Sequence, residues 1–150
     1  MKQEHIGVLI KMASLAFDRT ATQLLSDFEL TPSQFKILKY LSLNSDKTVR
    51  QIDIETFFRM SNPTVTGILQ NLEKKGMVKR KHHPNDKRCK LIVLSDSAAL
   101  QASDYLKTSR EIEDVFTKQL TASQKETLKN MLMTLIEDNQ KDKETNHESQ

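Results

Sequence analysis

One cysteine, Cys89, is all the sulfhydryl this chain has, so no internal disulfide is possible and a reducing, cytoplasmic setting is expected. Glycine and proline are nearly as scarce, three of each in 150 residues, which disfavours a β sandwich with its many tight turns and favours helices. No apolar run approaches the ~20 residues that cross a bilayer. The start, MKQEHIGVLIKMASLAF, breaks its short apolar core with polar residues and has no small-residue cleavage site, so a signal peptide is not expected. A phosphate-cradling Gly-rich loop is missing too, and four His with no Ser-His-Asp arrangement around them leave no catalytic site to argue. His82 and His83 are adjacent, so on a strand they point to opposite faces and cannot hold one metal. Neither an enzyme, a cofactor nor a metal site is expected.

What is present is charge, placed unevenly. The chain is 29% charged with a net +3, but eight of its 23 Lys and Arg and one of its 20 Asp and Glu fall in Lys74–Lys90, KKGMVKRKHHPNDKRCK. That stretch carries +7 and the rest of the chain −4, a concentration suited to a polyanion.

The periodicity around it is helical. Ile6, Leu9, Ile10, Ala13, Ala16 and Phe17 predict a first helix to about Leu25. Thr31-Pro32-Ser33-Gln34 is a capping box that opens a second, with Phe35, Leu38 and Leu41 on one face. A short third helix is expected over Gln51 to Phe58, with Ile54, Phe57 and Phe58 inward. Ser61 caps the fourth, Asn62 to Lys75, which ends at Gly76 and buries Val65, Ile68, Leu69 and Leu72. Met77–Lys81 and Lys90–Leu94 read as strands around the turn His83-Pro84-Asn85-Asp86. A fifth helix is expected from the Ser95 cap to Lys118. A second capping box, Thr121-Ala122-Ser123-Gln124, opens a sixth carrying Leu128, Met131, Leu132, Leu135 and Ile136. The predicted class is mainly α with a small β hairpin, six helices in the order α-α-α-α-β-β-α-α. A polar tail, 137–150, is expected to be disordered.

The fourth helix has an unusual outer face. Opposite Leu72 lie Pro63, Gly67, Gln70 and Lys74, flanked by Thr64 and Thr66, with Asn62 in the first turn. A solvated helix would carry Glu, Lys and Arg there, and an exposed helical glycine costs ~1 kcal/mol relative to alanine. Small side chains let a helix N-terminus sit deep in a major groove, where Thr, Asn and Gln reach base edges and phosphates. In the hairpin, Arg88 and Lys87 suit a wing tip and the focused potential of a minor groove, while Lys79, Arg80 and Lys81 suit phosphates. Asp86 would be repelled by DNA unless it orients Arg88.

SNPTVTGILQNLEKKGMVKR followed by HPNDKRCKLIVLS resembles the recognition helix and wing of the MarR family of transcriptional regulators, and TPSQFKIL resembles the opening of its second helix. The resemblance implies one unit over 1–136, with a winged helix-turn-helix over 31–94 and dimerisation helices in 1–30 and 95–136. It implies a homodimer on a pseudo-palindromic double-stranded operator, with Ser61, Asn62, Pro63, Thr64, Thr66 and Gly67 in the major groove. Arg88 would enter the minor groove, held by Asp86. Many members carry Arg where this chain has Gly67, so operator preference does not carry over. The family further implies a repressor released by a small aromatic or phenolic-like effector in a crevice for which Met12, Ala16, Phe17, Leu38 and Tyr40 are candidates. Two alternatives remain at this point: a winged-helix module docking an acidic partner, and a redox regulator acting through Cys89, whose basic neighbours favour the thiolate.

Overall fold

A computed structural model describes residues 5–148, with side chains described for residues 5–139. The chain divides into two compact units, one up to Phe116 and one from Thr117 onward.

The first unit holds α1 (Ile6–Leu24), a single 3-10 turn at Ser26–Phe28, α2 (Pro32–Leu43), α3 (Gln51–Phe58), α4 (Asn62–Lys74), the antiparallel hairpin β1 (Val78–His83) and β2 (Asp86–Leu94), α5 (Asp96–Leu100) and α6 (Ala102–Phe116). The local signals set most boundaries. At α2 the Thr31 Oγ1 accepts the Gln34 N–H at 3.1 Å and the Gln34 Oε1 accepts the Thr31 N–H at 3.2 Å, so both halves of the box close. At the end of α4, Gly76 sits at φ +71°, its N–H bonded to the Glu73 carbonyl and that of Met77 to the Leu72 carbonyl. This is a Schellman turn, and only glycine enters that backbone region without a side-chain penalty.

Leu25, Ile37, Leu38, Ile54, Val65, Leu69, Leu72, Ile92, Tyr105 and Ile112 form the centre of the core, each almost fully buried. Tyr105 is its aromatic pivot: it meets Phe35 edge-on at 6.2 Å and Phe28 at 5.8 Å, and its hydroxyl donates to Gln101 Oε1. The wing is anchored by more than its own ladder. Val49 accepts the Ile92 N–H at 2.9 Å and Arg50 bridges to Leu91, so the chain before α3 forms a third, one-rung edge on β2.

Three expectations are corrected. The segment after Ser95 is two helices, so there are seven in all among the described residues. No proline or glycine breaks it; the chain turns at Gln101, leaving Leu100 85% exposed and bringing Tyr105 and Ile112 into the core. Tertiary packing outweighs helix propensity there. In α3, Ile54 and Phe58 face inward as a four-residue pair, whereas Phe57 is 62% exposed. In the second unit, α7 (Ala122–Glu148) opens on the expected Thr121–Gln124 box and runs helical through most of the segment expected to be disordered. Propagating a nucleated helix costs far less than starting one, and Glu, Gln and Lys are good formers.

Two helices keep apolar faces that their own units leave uncovered. In α1, Ile6, Val8, Leu9, Ile10, Met12 and Leu15 are all exposed, and in α7 so are Met131, Leu132, Met133, Leu135 and Ile136. Among the described residues no helix is long and apolar enough to cross a membrane.

Candidate nucleic-acid interface

The fourth helix is pinned by Val65, Leu69 and Leu72, each at 0% exposure, so its opposite face is fixed outward. On that face Ser61, Asn62, Pro63, Thr64, Gln70 and Lys74 are exposed, and Thr66 and Gly67 are half-buried. The Ser61 Oγ caps the helix by accepting the Thr64 N–H. Gly67 has an ordinary helical backbone, and a methyl group added there would meet no atom within 4 Å. Internal packing therefore does not require the glycine.

In the wing, strand alternation sorts the basic residues. Val78 is buried and Arg80, two residues on, faces the same side, where it pairs with Glu73 of α4 and keeps only 20% of its side chain exposed. Arg80 thus ties α4 to the wing and, unlike its neighbours Lys79 and Lys81, is not a free charge. Lys79 and Lys81 point the other way and are exposed, as are Lys87, Arg88 and Lys90. Lys75 is also engaged: its Nζ donates to the Glu29 carbonyl and, at 3.3 Å, to Gln34 Oε1, tying the end of α4 to the start of α2. Asp86 does hold Arg88, but by the main chain. Its Oδ1 accepts the Arg88 N–H at 2.9 Å, which sets the backbone from which the guanidinium projects. The turn has a further tie, the Asn85 N–H donating to His83 Nδ1 at 3.1 Å.

Sequence reasoning missed what α3 contributes. Gln51 Nε2 donates to Thr66 Oγ1 at 2.9 Å and Asn62 Nδ2 donates to Glu55 Oε2 at 3.2 Å. Gln51 and Glu55 are spaced i, i+4, one face of a two-turn helix, and that spacing was the available signal. Between them, Asp53 accepts both the N–H and the guanidinium of Arg50. The Arg50 hydrogen bonds hold the Asp53 carboxyl below its ordinary range. These residues and the wing enclose a cleft of about 390 Å³ whose walls include Gln51, Asn62, Thr66, Arg88, Cys89 and Lys90. α4 and the wing therefore border one common space. Cys89 is half-buried in its wall. Among the described residues no group of three or more His, Cys, Asp or Glu is placed to hold a metal ion.

The effector candidates do not share one environment. Leu38 is fully buried in the core and presents no surface to a ligand. Tyr40 packs on Phe57 and Phe58 at 4.9 and 5.7 Å. Met12 is 48% exposed on α1, Ala16 is half-buried, and Phe17 meets Phe116 edge-on at 5.3 Å.

Residues 30–90, from the start of α2 into β2 of the wing, match the family model described as MarR family. Over that stretch the chain is similar to the MarR family. It is 29% identical over 132 residues to the multiple antibiotic resistance protein MarR of Salmonella typhimurium, spanning 87% of this chain and 90% of that one. Its structure superposes on MepR of S. aureus in a DNA complex with a TM-score of 0.82 at 27% identity, covering 91% of this chain and 99% of MepR. A mutant MarR from E. coli complexed with operator DNA gives a TM-score of 0.78, also at 27% identity, over 87% of this chain and 92% of that one. The expected winged-helix class stands.

Proposed function

We propose that this protein is a dimeric transcriptional repressor that reads a pseudo-palindromic operator, with α4 in the major groove and the wing at the neighbouring minor groove. The observation that carries the reading is the shared cleft: Asn62 and Thr66 of α4 and the exposed Arg88 and Lys90 line one space, so a duplex engaging one engages the other. The DNA complexes of MepR and MarR support the same assignment. In this reading Ser61, Asn62, Pro63, Thr64, Thr66, Gly67 and Gln70 face bases and nearby phosphates, and Lys74, Lys81, Lys87 and Arg88 supply the charge.

The exposed apolar stripes of α1 and α7 support a homodimer, since isolated soluble chains rarely leave such faces bare. Deleting the chain from Thr121 removes the α7 stripe and is expected to yield monomer or aggregate by sedimentation. Two reading units joined through a dimer must match half-sites ~34 Å apart, so a small aromatic acid that favours another spacing releases the DNA. The aromatic cluster of Tyr40, Phe57 and Phe58, of which Phe57 is exposed, and the Phe17–Phe116 pair support an aromatic effector.

The test is selection of duplexes from a randomised pool, followed by fluorescence anisotropy of the selected sequence across a salt series. The expected result is a steep salt slope together with a selected-to-random affinity ratio of about a thousandfold or more. A protein that binds acidic partners through the hairpin would show salt dependence with no sequence preference, and that result overturns the proposal.

A further inference from the structure

We propose that Gln51 and Glu55, on α3, are positioning residues that set the base preference of α4 by fixing how its reading groups present donors and acceptors. The inference rests on the DNA-reading function proposed above.

A threonine hydroxyl offers one hydrogen and two lone pairs. In most helices the hydrogen goes back to the carbonyl one turn earlier, as it does here at Thr20, Thr22, Thr127 and Thr134. Thr66 is different. Its oxygen accepts the Gln51 Nε2 hydrogen at 2.9 Å, and among the described residues its hydroxyl makes no bond back to its own helix. With a lone pair occupied from the protein side, its hydrogen is left to point into the cleft. Thr66 keeps that hydrogen and one lone pair for the cleft, and the hydrogen is matched to an acceptor such as guanine O6 or N7, thymine O4 or a phosphate oxygen. Gln51 can hold this geometry because it is itself only 8% exposed and cannot swing away.

Asn62 is polarised in the opposite sense. A carboxylate only accepts, so the atom that meets Glu55 Oε2 at 3.2 Å must be the amide nitrogen. One N–H is consumed, and Oδ1 with the second N–H remain at the exposed first turn. That pair is the pattern that recognises adenine N6 and N7. A free asparagine would flip at little cost and blur the preference; the fixed carboxylate prevents it. Two residues that need not touch DNA thus each occupy one hydrogen-bonding position of a reading side chain and fix what it has left to offer.

The experiment uses the full chain and the duplex selected with the wild-type protein, its single base-pair variants across one half-site, and random duplex. Affinities are measured for Glu55→Gln, Gln51→Met and Thr66→Ser. Glu55→Gln is expected to bind random duplex at least as tightly as wild type, because a negative charge near the phosphates is gone. Its selected-to-random ratio is nonetheless expected to fall by about tenfold, with the lost discrimination confined to one or two adjacent base pairs in each half-site. Gln51→Met is expected to relax a neighbouring position, and Thr66→Ser, which keeps the hydroxyl, to retain the wild-type preference. If Glu55→Gln and Gln51→Met change the affinity for every duplex by one common factor, the positioning role is overturned. Should Gln51→Met fail to fold by circular dichroism, Glu55→Gln decides alone, since Glu55 lies outside the core. Wild-type protein that selects no sequence at all overturns the DNA-reading function itself, before any variant is made.

Discussion

Gly67→Ala separates stability from DNA reading, because the two are expected to move in opposite directions. Gly67 has a helical backbone, and a β-carbon at this position meets nothing within 4 Å. The substitution therefore introduces no clash, and the helix gains the propensity difference of about 1 kcal/mol, part of it by restricting the unfolded chain. In a protein of this size that corresponds to a rise in Tm of about 2–4 °C. Against DNA the same open space is what α4 offers the major groove. A methyl group forced into a close interface costs about 1–3 kcal/mol, roughly a fivefold to 150-fold loss of affinity. Thermal melts of both proteins at one concentration, and anisotropy on the selected duplex, measure the two effects. A lower Tm would mean that a neighbour needs the space. A raised Tm with unchanged affinity would mean that the Gly67 face does not meet DNA, and the placement of α4 would have to be abandoned.

Three further outcomes are expected. Arg88→Ala is expected to weaken operator binding by about 1–3 kcal/mol and to lower the salt slope by about one unit; Asp86→Ala is expected to weaken it as well, despite removing a negative charge, because the Arg88 N–H loses its acceptor, and tighter binding by Asp86→Ala would refute the orienting role. Arg80→Ala is expected to lower stability in urea more than Lys81→Ala does, since it leaves Glu73 unpaired, whereas Lys81→Ala is expected to lower the salt slope; the reverse pattern would show that Arg80 is a phosphate contact after all. Burial, and secondarily Asp104, raises the Tyr105 pKa above the ordinary 10.0, so the folded state keeps the phenol neutral after the unfolded chain has begun to ionise. Its contribution is complete below pH 10.0 and is lost as pH rises through the folded value. Tyr105→Phe is expected to flatten the alkaline limb of a stability–pH curve, and an unchanged limb would count against the burial argument.

Much of this architecture is local in origin. The Thr31 and Thr121 boxes, the Ser61 cap, the Gly76 turn and the Pro84–Asn85 turn all lie where short-range chemistry places them, because each involves residues within about four positions of one another. The stripe of Val65, Leu69 and Leu72 follows from a period of 3.6, which also makes the outer face of α4 legible. The family resemblance rests on those same residues.

The partner that each polar group takes comes from the packing of distant segments and not from local sequence. Charge counting treats the eight basic residues of Lys74–Lys90 alike, yet the fold gives Arg80 to Glu73 and Lys75 to the start of α2. The sequence implied that Asp86 serves Arg88, but that it does so through the main chain depends on the register of the hairpin. The break at Gln101 has no local signal, because it answers to the burial of Tyr105 and Ile112. The bonds from Gln51 to Thr66 and from Glu55 to Asn62 cross 15 and 7 positions. Periodicity shows which face of a helix is buried; which donor meets which acceptor across two faces depends on how the helices cross, and that is settled only when the whole core packs.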